Sequence, residues 1–460
     1  MPDPKKYLQR ALLLLQQGRY NDVISLCQPI LQKSPGAFAP RHFYGVALLR
    51  LGRLEEAERE LQRACSCQAP RAQRAQANSN LALSLQHQGK LEAAADAIQR
   101  AVEYAPAEAA YWINHGNICE ARRDWQQMAR SFEQALALAP GLPEAGTGLA
   151  VANRHLGRFE NARQTLESSA EQDFDWLCEY VLVLLLQGDE SKALAMADQV
   201  PDADSLMGLA DYVAEAGYAE RATPLYRRVL QLEPGNSVAR HLLASLAGES
   251  LRQAPRQYVE ALYDRHAGEF EQRLVGCLGY CAPEMMAQAL GAIATDRLDA
   301  ALDLGCGSGL LGQALTRSFP TLAIDGIDLS SRMLDEARAK HCYRGLLHGD
   351  AVSQMAQLPA SGYQLIASAD MLIYLGDLEP LFEAALRCLA PGGLIAVTVE
   401  AGSEDQPQLQ PSGRFRHSGG YLKHLVAGHK LQLRLLERFE LRQEHDEMID
   451  GLMLIAQAPG

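Results

Sequence analysis

The chain has 460 residues, of which 48% are hydrophobic and 22% are charged, and this composition is typical of an ordinary globular protein rather than a disordered one. Its length predicts more than one domain. The net charge of −13 leaves no basic excess to displace counterions from a phosphate backbone, which disfavours nucleic acid as a partner.

The N-terminus and the cysteines give little sign of export or of metal binding. The apolar stretch at residues 11–15 is short, Arg10 interrupts the approach to it, and no small-residue cleavage site follows, so we expect an amphipathic first helix rather than a signal peptide. The apolar run at residues 181–186 is too short to span a bilayer. The ten cysteines form no CxxC pair. We therefore expect a cytoplasmic protein with reduced thiols, no metal site and no membrane contact.

Glycines recur through the first half of the chain, each between two segments with helical periodicity. The first two are 34 residues apart, and a later interval is twice as long. Small residues and prolines recur at matching offsets. In the fourth unit Arg123 stands at the position of the glycine, while Trp112 and Pro140 keep the unit in frame. This period identifies the tetratricopeptide repeat. The glycines concerned are Gly18, Gly52, Gly89, Gly157, Gly188 and Gly217.

These repeats predict an all-α solenoid over residues 1–248, with about seven helical hairpins and a capping helix at residues 237–246. A concave solenoid surface usually binds a peptide or a partner protein, and Asn80 and Asn114 are among the candidate groove residues. The alternative is a module that only dimerises or has a purely structural role. A homodimer therefore stays open.

An apolar run at residues 300–304 ends in closely spaced glycines and continues into a helical pattern. Gly305, Gly307 and Gly309 form a GxGxG, while Gly307, Gly309 and Gly312 also satisfy the dinucleotide pattern GxGxxG. A strand that turns on glycines into a helix lets a ligand approach backbone amides at the helix N-terminus. Such turns form nucleotide-type cofactor sites at the carboxyl edge of open α/β sheets.

Acidic residues decide between the two glycine patterns, because they occur at the ends of successive strand-like runs. Asp303 lies within the first run, Asp328 ends the next, Asp350 follows a third, and Asp370 follows a fourth. In this order and spacing, the region from about residue 258 to the C-terminus resembles class I S-adenosylmethionine-dependent methyltransferases. The alternative, a nicotinamide-dependent dehydrogenase, fits less well, because the last two strand-like segments predict an antiparallel pair at the end of the sheet.

The resemblance implies a Rossmann-like α/β domain over residues 299–460, with a mostly parallel seven-stranded sheet and an antiparallel C-terminal strand. It also implies S-adenosylmethionine as the cofactor, with S-adenosylhomocysteine as the product. The glycine turn would pass beneath the methionine portion, with Asp303 as an anchor for the turn or for an amino group of the ligand. Asp328 would bind the ribose and Asp350 the adenine. Further residues implied at the cofactor are Tyr263, Cys306, Leu310, Leu329, Met333, Gly349, Ala351 and Asp370.

Residues 249–298 lose the repeat frame and predict a linker with short amphipathic helices, which the resemblance implies cover the cofactor. In the resemblance, the aromatic residue that lies against the cofactor corresponds to Tyr263. The alternative is that Tyr263 and Phe270 only pack on the sheet. Together with the repeats, this region resembles a group of bacterial predicted methyltransferases that carry N-terminal tetratricopeptide repeats, a resemblance that names no substrate.

At the acceptor end, Asp370 could orient a nucleophile or accept its proton, and Tyr374 could line the acceptor channel. Residues 407–421 are rich in Gln, Pro, Ser and Gly and predict a mobile loop over the site, with His417 as the candidate general base. The alternative for His417 is an ordinary surface histidine. The stretch after Asp370 lacks the Asn/Asp-Pro-Pro-Tyr signature of enzymes that methylate planar amide or base nitrogens.

Three functions remain in view. The first is methylation of a protein acceptor that the solenoid recruits. The second is methylation of a small molecule, with the solenoid used only for complex assembly. The third is a non-catalytic scaffold that senses the cofactor, which the complete set of acids and glycines disfavours.

Overall fold

The computed structural model describes residues 4–169, 172–249, 251–266, 280–294, 298–444 and 447–460. It divides into two compact units, Met1–Pro201 and Asp202–Gly460. Phe270 lies outside the described residues. Within the described part of the chain, no helix has both the length and the apolar character needed to cross a bilayer.

The first unit consists of antiparallel helices joined by short turns, and consecutive helices pair into six hairpins. This is the predicted all-α repeat architecture. The helices are α1 Pro4–Gln16, α2 Tyr20–Lys33, α3 Phe38–Arg50, α4 Leu54–Cys65, α5 Arg71–His87, α6 Leu91–Tyr104, α7 Ala109–Ala121, α8 Trp125–Leu138, α9 Pro143–His155, α10 Phe159–Glu167, α11 Phe174–Gln187 and α12 Glu190–Ala197.

The recurring glycines occupy the turns inside the hairpins in a left-handed conformation. Gly52 has φ of +72° and Gly157 has the same value, a conformation that costs a glycine little and other residues more. Arg123 takes this place in the fourth hairpin and adopts φ of +56°. The repeat geometry therefore imposes the left-handed turn even where the sequence provides no glycine.

Small residues let neighbouring hairpins approach closely. Phe132 on α8 is 1% exposed and packs between Gly116 on α7 and Gly148 on α9. A Cβ atom at Gly116 would lie 2.7 Å from the Phe132 ring, and one at Gly148 would lie 2.5 Å from it. Both glycines are therefore required by packing rather than by backbone conformation.

The second unit begins with helices in the predicted repeat region. These are α13 Ala203–Val213, a π-helical turn Ala214–Tyr218, a 3-10 turn Ala219–Ala222, α14 Thr223–Leu232 and α15 Ser237–Ala247. The domain boundary at residue 248 stays a prediction. Two more helices, α16 Arg256–His266 and α17 Ala282–Ile293, precede the sheet.

The sheet then alternates with helices. Its strands are β1 Ala300–Leu304, β2 Ala323–Asp328, β3 Gly345–His348, β4 Tyr363–Ser368, β5 Leu389–Ala401, β6 Gln408–Leu409, β7 Phe415–His417, β8 Gln432–Glu444 and β9 Glu447–Gln457. The intervening helices are α18 Leu310–Ser318, α19 Ser331–Ala339, α20 Ala351–Met355, α21 Glu379–Cys388 and α22 Gly419–Gly428.

The strand order is that of a doubly wound fold with one reversed strand. Strands β3, β2, β1, β4 and β5 are parallel neighbours in that order. Strand β9 runs antiparallel to β5, and β8 pairs with β9. These are the seven strands that the sequence predicts. Two short strands are additional, because β7 pairs with the end of β5 and β6 pairs with β7.

Both faces of the sheet are covered, as a parallel sheet requires. Leu302, Ile366 and Val397 face a core completed by α20, α21 and α22. Ala301 and Leu365, their neighbours along the strands, face a second core completed by α17 and α18. The carboxyl ends of β1, β2 and β4 therefore meet at one fixed edge.

One local prediction is wrong. Residues 407–421, expected as a mobile loop, contain β6, β7 and the start of α22. The Gln, Pro, Ser and Gly content of this stretch is equally suited to two short strands joined by a tight turn.

Replacing Gly148 by Ala should lower the free energy of unfolding by about 1–3 kcal/mol, because the added methyl group overlaps the buried Phe132 ring. Gly146→Ala is the matched control on the same helix, since a Cβ atom there meets nothing within 4 Å. That change should be neutral or stabilise by up to about 1 kcal/mol. Chemical denaturation of the full chain compares the two, and equal midpoints would contradict the packing argument.

Candidate functional site

A cavity of about 550 Å³ opens at the carboxyl edge of the sheet. Asp303 and Gly305 reach it from β1, Asp328 from β2, and Asp370 from the loop after β4. Its size and its place at this edge are typical of a small-molecule or cofactor site. Most of the predicted site residues line it, namely Tyr263, Asp303, Gly305, Cys306, Gly307, Leu310, Asp328, Leu329, Gly349, Asp350, Ala351, Asp370 and Tyr374.

The glycine turn after β1 is held in a conformation that bulkier residues rarely adopt. Gly305, Gly307 and Gly309 have φ of +66°, +52° and +93°. A Cβ atom at Gly305 would lie 2.6 Å from Cβ of Met371, so the turns after β1 and β4 approach each other closely. The turn therefore exposes backbone to the cavity where side chains would block it.

Asp303 has one satisfied oxygen and one that has no partner. The Tyr343 hydroxyl donates to its Oδ2 over 2.7 Å, whereas Oδ1 is buried and accepts no hydrogen bond from the described residues. The residue is 1% exposed, and burial raises the pKa of its carboxyl group to about 7. A buried acceptor at a cavity wall costs free energy until a donor or a cation occupies the site. Asp303 is thus suited to a ligand ammonium group.

Asp328 joins two of the turns at the cavity. Its Oδ2 accepts a hydrogen bond from the Gly307 amide over 2.8 Å, and its Oδ1 accepts one from the Ser330 amide over 2.8 Å. Burial raises its pKa, while these backbone donors oppose the rise. Each carboxylate oxygen retains a second lone pair. The side chain can therefore hold the glycine turn and accept from ligand hydroxyls at the same time.

Asp350 has a structural role at the cavity rim. Its side chain caps α20 by accepting from the Ser353 amide over 2.9 Å. Its Oδ1 also pairs with the Arg256 guanidinium, 2.8 Å away. Gly349 and Ala351 line the cavity on either side of it. The cap and the ion pair fix the carboxylate at the position where the sequence predicts adenine recognition.

Two tyrosines that line the cavity contact each other. The hydroxyl groups of Tyr263 on α16 and Tyr374 are 3.2 Å apart, and the two rings meet edge to face. Helix α16 is fastened to the start of α19, because the Ser330 hydroxyl donates to Asp264 over 2.5 Å. Tyr263 therefore contacts the cavity rather than packing only against the sheet.

Asp370 lies beside a buried charge cluster that the sequence did not predict. It adopts φ of +64°, its amide donates to Thr398 over 2.9 Å, and its Oδ2 accepts from Arg442 over 2.7 Å. Arg442 also donates to the buried Glu400. Burial raises the pKa of Asp370, and Arg442 opposes this rise. The second oxygen of Asp370 is buried and accepts no hydrogen bond from the described residues.

Three of the predicted site residues do not line the cavity. Gly309 packs against the Tyr343 ring, and Met333 is fully buried on α19. His417 lies in β7 with 0% exposure, and its Nε2 donates to the Gly376 carbonyl over 3.2 Å. Burial lowers its pKa to about 4. His417 is therefore neither a surface histidine nor in contact with the cavity, so its predicted place over the site is corrected.

Several cavity or cavity-supporting residues were missed, namely Arg256, Tyr280, Tyr343, Arg414 and Arg442. Arg414 lies within residues 407–421, where the sequence predicts a role only for His417. Arg442 lies in β8 near exposed charged residues such as Arg438 and Glu440, so no local pattern marks it as the buried member of an ion pair. Tyr343 stands 40 residues after Asp303 and carries no motif.

Comparison with known families agrees with this geometry. Residues 301–393 match the family model for a methyltransferase domain. Residues 112–145 match the tetratricopeptide repeat, and residues 3–114 match the N-terminal domain of the ESX-1 secretion system protein EccA1. This match supports the methyltransferase interpretation over the dehydrogenase alternative.

Curated relatives match parts of the chain. It is 31% identical over 158 residues to a malonyl-[acyl-carrier protein] O-methyltransferase of Chlorobium phaeovibrioides, which is 33% of this chain and 55% of that protein. It is 35% identical over 109 residues to a trans-aconitate 2-methyltransferase of Acidovorax sp., which is 24% of this chain and 41% of that protein. The chain thus spans about half the length of the curated relatives it matches.

Solved structures resemble each half separately. An S-adenosylmethionine-dependent methyltransferase of Mesorhizobium loti is 20% identical with a TM-score of 0.30, covering 37% of this chain and 96% of that one. A tetratricopeptide repeat protein of Parabacteroides merdae is 15% identical with a TM-score of 0.38, covering 53% and 98%. The assignment rests on the sequence matches and on the strand order. The chain therefore combines tetratricopeptide repeats with a class I methyltransferase domain, whose cofactor is S-adenosylmethionine.

Proposed function

We propose that this protein is an S-adenosylmethionine-dependent methyltransferase. The observation that carries the proposal is the convergence of Asp303, Asp328, Asp350 and Asp370 with the glycine turn on one cavity. The curated relatives that match this region are named as methyltransferases. A positively charged cofactor suits a cavity of this composition, because two of the four acids have a buried oxygen that accepts no hydrogen bond from the described residues.

The residues present fit the cofactor. Asp303 would hold the amino group of its methionine portion, and the amides of the glycine turn would face its carboxylate. Asp328 would accept from the ribose hydroxyls, and Asp350 with Gly349 and Ala351 would contact the adenine. When bound, the sulfonium of S-adenosylmethionine supplies a methyl group that is already activated for displacement.

The other residues of the site would position the acceptor and exclude water from the methyl group. We assign the acceptor to the part of the cavity that is lined by Tyr263, Tyr374 and Asp370, and we call this part the acceptor end. Holding an acceptor in line with the methyl group supplies much of the rate in such a reaction. The second oxygen of Asp370 would accept a hydrogen bond from an N–H or O–H of the acceptor and so fix its orientation.

For the acceptor we propose a protein that the repeats recruit. The support is the six-hairpin helical unit, an architecture whose usual role is to bind a peptide or protein. The second candidate is a small anionic molecule. It is favoured by Arg414 and Arg442, which line the cavity, and by relatives named for malonyl-[acyl-carrier protein] and trans-aconitate.

One experiment separates the two acceptors. The full chain is incubated with methyl-labelled S-adenosylmethionine and a fractionated cell extract. Label in protein bands supports the protein acceptor, and label confined to the small-molecule fraction rejects it in favour of the second candidate. Cofactor binding without any label in either fraction would support a cofactor-sensing scaffold instead.

Asp328→Ala should weaken binding of S-adenosylmethionine by at least about tenfold, because the ribose loses its acceptor and the Gly307 amide loses its partner. Asp335→Ala is the control, since Asp335 is 75% exposed on α19 and pairs only locally with Arg338. Titration calorimetry measures both variants. Wild-type affinity in Asp328→Ala would refute the ribose assignment.

The contribution of Asp303 to the affinity for S-adenosylmethionine should depend on pH. With a pKa of about 7, its carboxyl group is neutral below this pH and attracts an ammonium group only above it. The affinity ratio of wild type to Asp303→Asn should therefore rise about tenfold from pH 6 to pH 8. Taking the ratio cancels the titration of the cofactor's own amino group. A flat ratio would show that Asp303 does not face the ammonium.

Ionisation of Asp303 should strengthen cofactor binding but lower the stability of the ligand-free fold. Because the pKa of Asp303 is raised above its unfolded value of 3.8, the folded, ligand-free protein binds this proton more tightly than the unfolded chain. Its contribution to stability is present at low pH and is lost as the pH rises through about 7. The ligand-free Asp303→Asn variant should accordingly gain stability relative to wild type between pH 5 and pH 8.

A further inference from the structure

A buried histidine on helix α15 contacts the turn between β6 and β7. His241 is 1% exposed, and its Nε2 lies 2.9 Å from the carbonyl oxygen of Gly413, 172 residues further along the chain. A carbonyl only accepts, so Nε2 carries the proton and donates it. Burial lowers the pKa of His241, which keeps the ring neutral at neutral pH. Helix α15 therefore provides a fixed donor to the turn between β6 and β7.

The turn that receives this hydrogen bond is tightly constrained. It is closed by the Gly413 amide donating to Gln410 and by the Gln410 amide donating to the Arg414 carbonyl, each over 2.8 Å. Gly413 has φ of +77°, and a Cβ atom there would lie 3.0 Å from the Tyr258 hydroxyl and 3.4 Å from Nε2 of His241. Two helices, α15 and α16, thus hold the turn from outside.

The next residue, Arg414, lines the cavity. Its Nε lies 3.1 Å from Glu400, and the same carboxylate also accepts from Arg442. Arg442 in turn donates to Asp370. A displacement of the turn would therefore shift Arg414, and through Glu400 and Arg442 it would change the position of Asp370, the residue that we place at the acceptor.

The segment after α15 forms another part of the same wall. The Ala254 amide donates to the Tyr374 carbonyl over 2.8 Å, and the Gly376 amide donates to the Arg252 carbonyl over 2.8 Å. Gln253 forms an isolated bridge with Leu375, and both Tyr374 and Leu375 line the cavity. The wall near Tyr374 is thus paired, backbone to backbone, with the chain that leaves α15.

We propose that His241 is a positioning residue for the acceptor end of the cavity, and that α15, predicted as the cap of a recruiting solenoid, works as part of the transfer site. The inference rests on the proposed methyl transfer, since an acceptor end exists only if transfer takes place there. It goes beyond that function by assigning a role to a helix outside the predicted methyltransferase domain.

The test uses two variants of the full chain. His241→Leu removes the donor and keeps a buried apolar side chain, whereas His241→Gln keeps an amide donor at a similar reach. In His241→Leu, hydrogen exchange at residues 408–417 should become about tenfold faster or more, because the Gly413 carbonyl loses its buried partner. Exchange at residues 300–312 and the Kd for S-adenosylhomocysteine should stay within about twofold of wild type. His241→Gln should restore slow exchange.

The kinetic readout separates positioning from general stability. The assay uses the extract fraction that the wild-type protein labels. His241→Leu should raise the apparent KM for the acceptor about tenfold and leave the KM for the cofactor unchanged. His241→Gln should return the KM for the acceptor towards the wild-type value. Unchanged exchange at residues 408–417 in His241→Leu would overturn the proposal. Equal loss of cofactor affinity and of slow exchange at residues 300–312 would also overturn it, since that pattern indicates global destabilisation.

The failure of this proposal is distinguishable from failure of the proposed function. If wild-type protein does not bind S-adenosylhomocysteine, the methyltransferase proposal fails and this one fails with it. If wild-type protein binds the ligand and labels an acceptor while His241→Leu behaves like wild type, only the role of His241 is refuted.

Discussion

A carboxylate that leaves water must be paired or hydrogen-bonded, and this requirement shapes the whole carboxyl edge of the sheet. Asp328 meets it with two backbone amides, and Asp370 meets it with Arg442. Asp303 meets it on one oxygen only, through Tyr343. The turns after β1, β2 and β4 are therefore fixed by the same acids that face the cavity. In the proposed function, the same side chains stabilise the turns and bind the ligand, so a change in one affects the other.

The incomplete pairing is as informative as the pairing itself. A protein that needed these acids only for stability would satisfy every oxygen internally. Here one oxygen of Asp303 and one of Asp370 are buried at the cavity without a partner among the described residues. Burial raises the pKa of both groups, because their charged forms lack full solvation in the ligand-free protein. A bound cation or hydrogen-bond donor would stabilise these charged forms. The proposed function assigns the free oxygen of Asp303 to the charged cofactor and that of Asp370 to an acceptor with a donor group.

The sequence predicts those features that depend on neighbouring residues. The bounds of β1, the turn glycines of the repeats and the acids at the strand ends follow from local patterns. Features that depend on distant pairing were missed or misjudged. Tyr343 meets Asp303 across 40 residues, and Arg442 meets Asp370 across 72. His417 looked available for catalysis because its neighbours are polar, yet tertiary packing buries it in β7. Composition cannot distinguish a short strand from a loop when the strand pairs with a distant partner.

Helix α15 is a further case in which the sequence predicts the helix but not the distant residues that it contacts. Its periodicity is that of the repeats before it, and periodicity specifies which face of a helix is buried but not what covers that face. The buried face contains His241 and Ala244, and these contact the turn after β6 and Leu409. Its neighbours thus include the wall of the cavity as well as another helix. In the proposed arrangement, a helix with the periodicity of the repeats supports the acceptor end of the cavity through a buried donor, and helical periodicity alone does not reveal such a role.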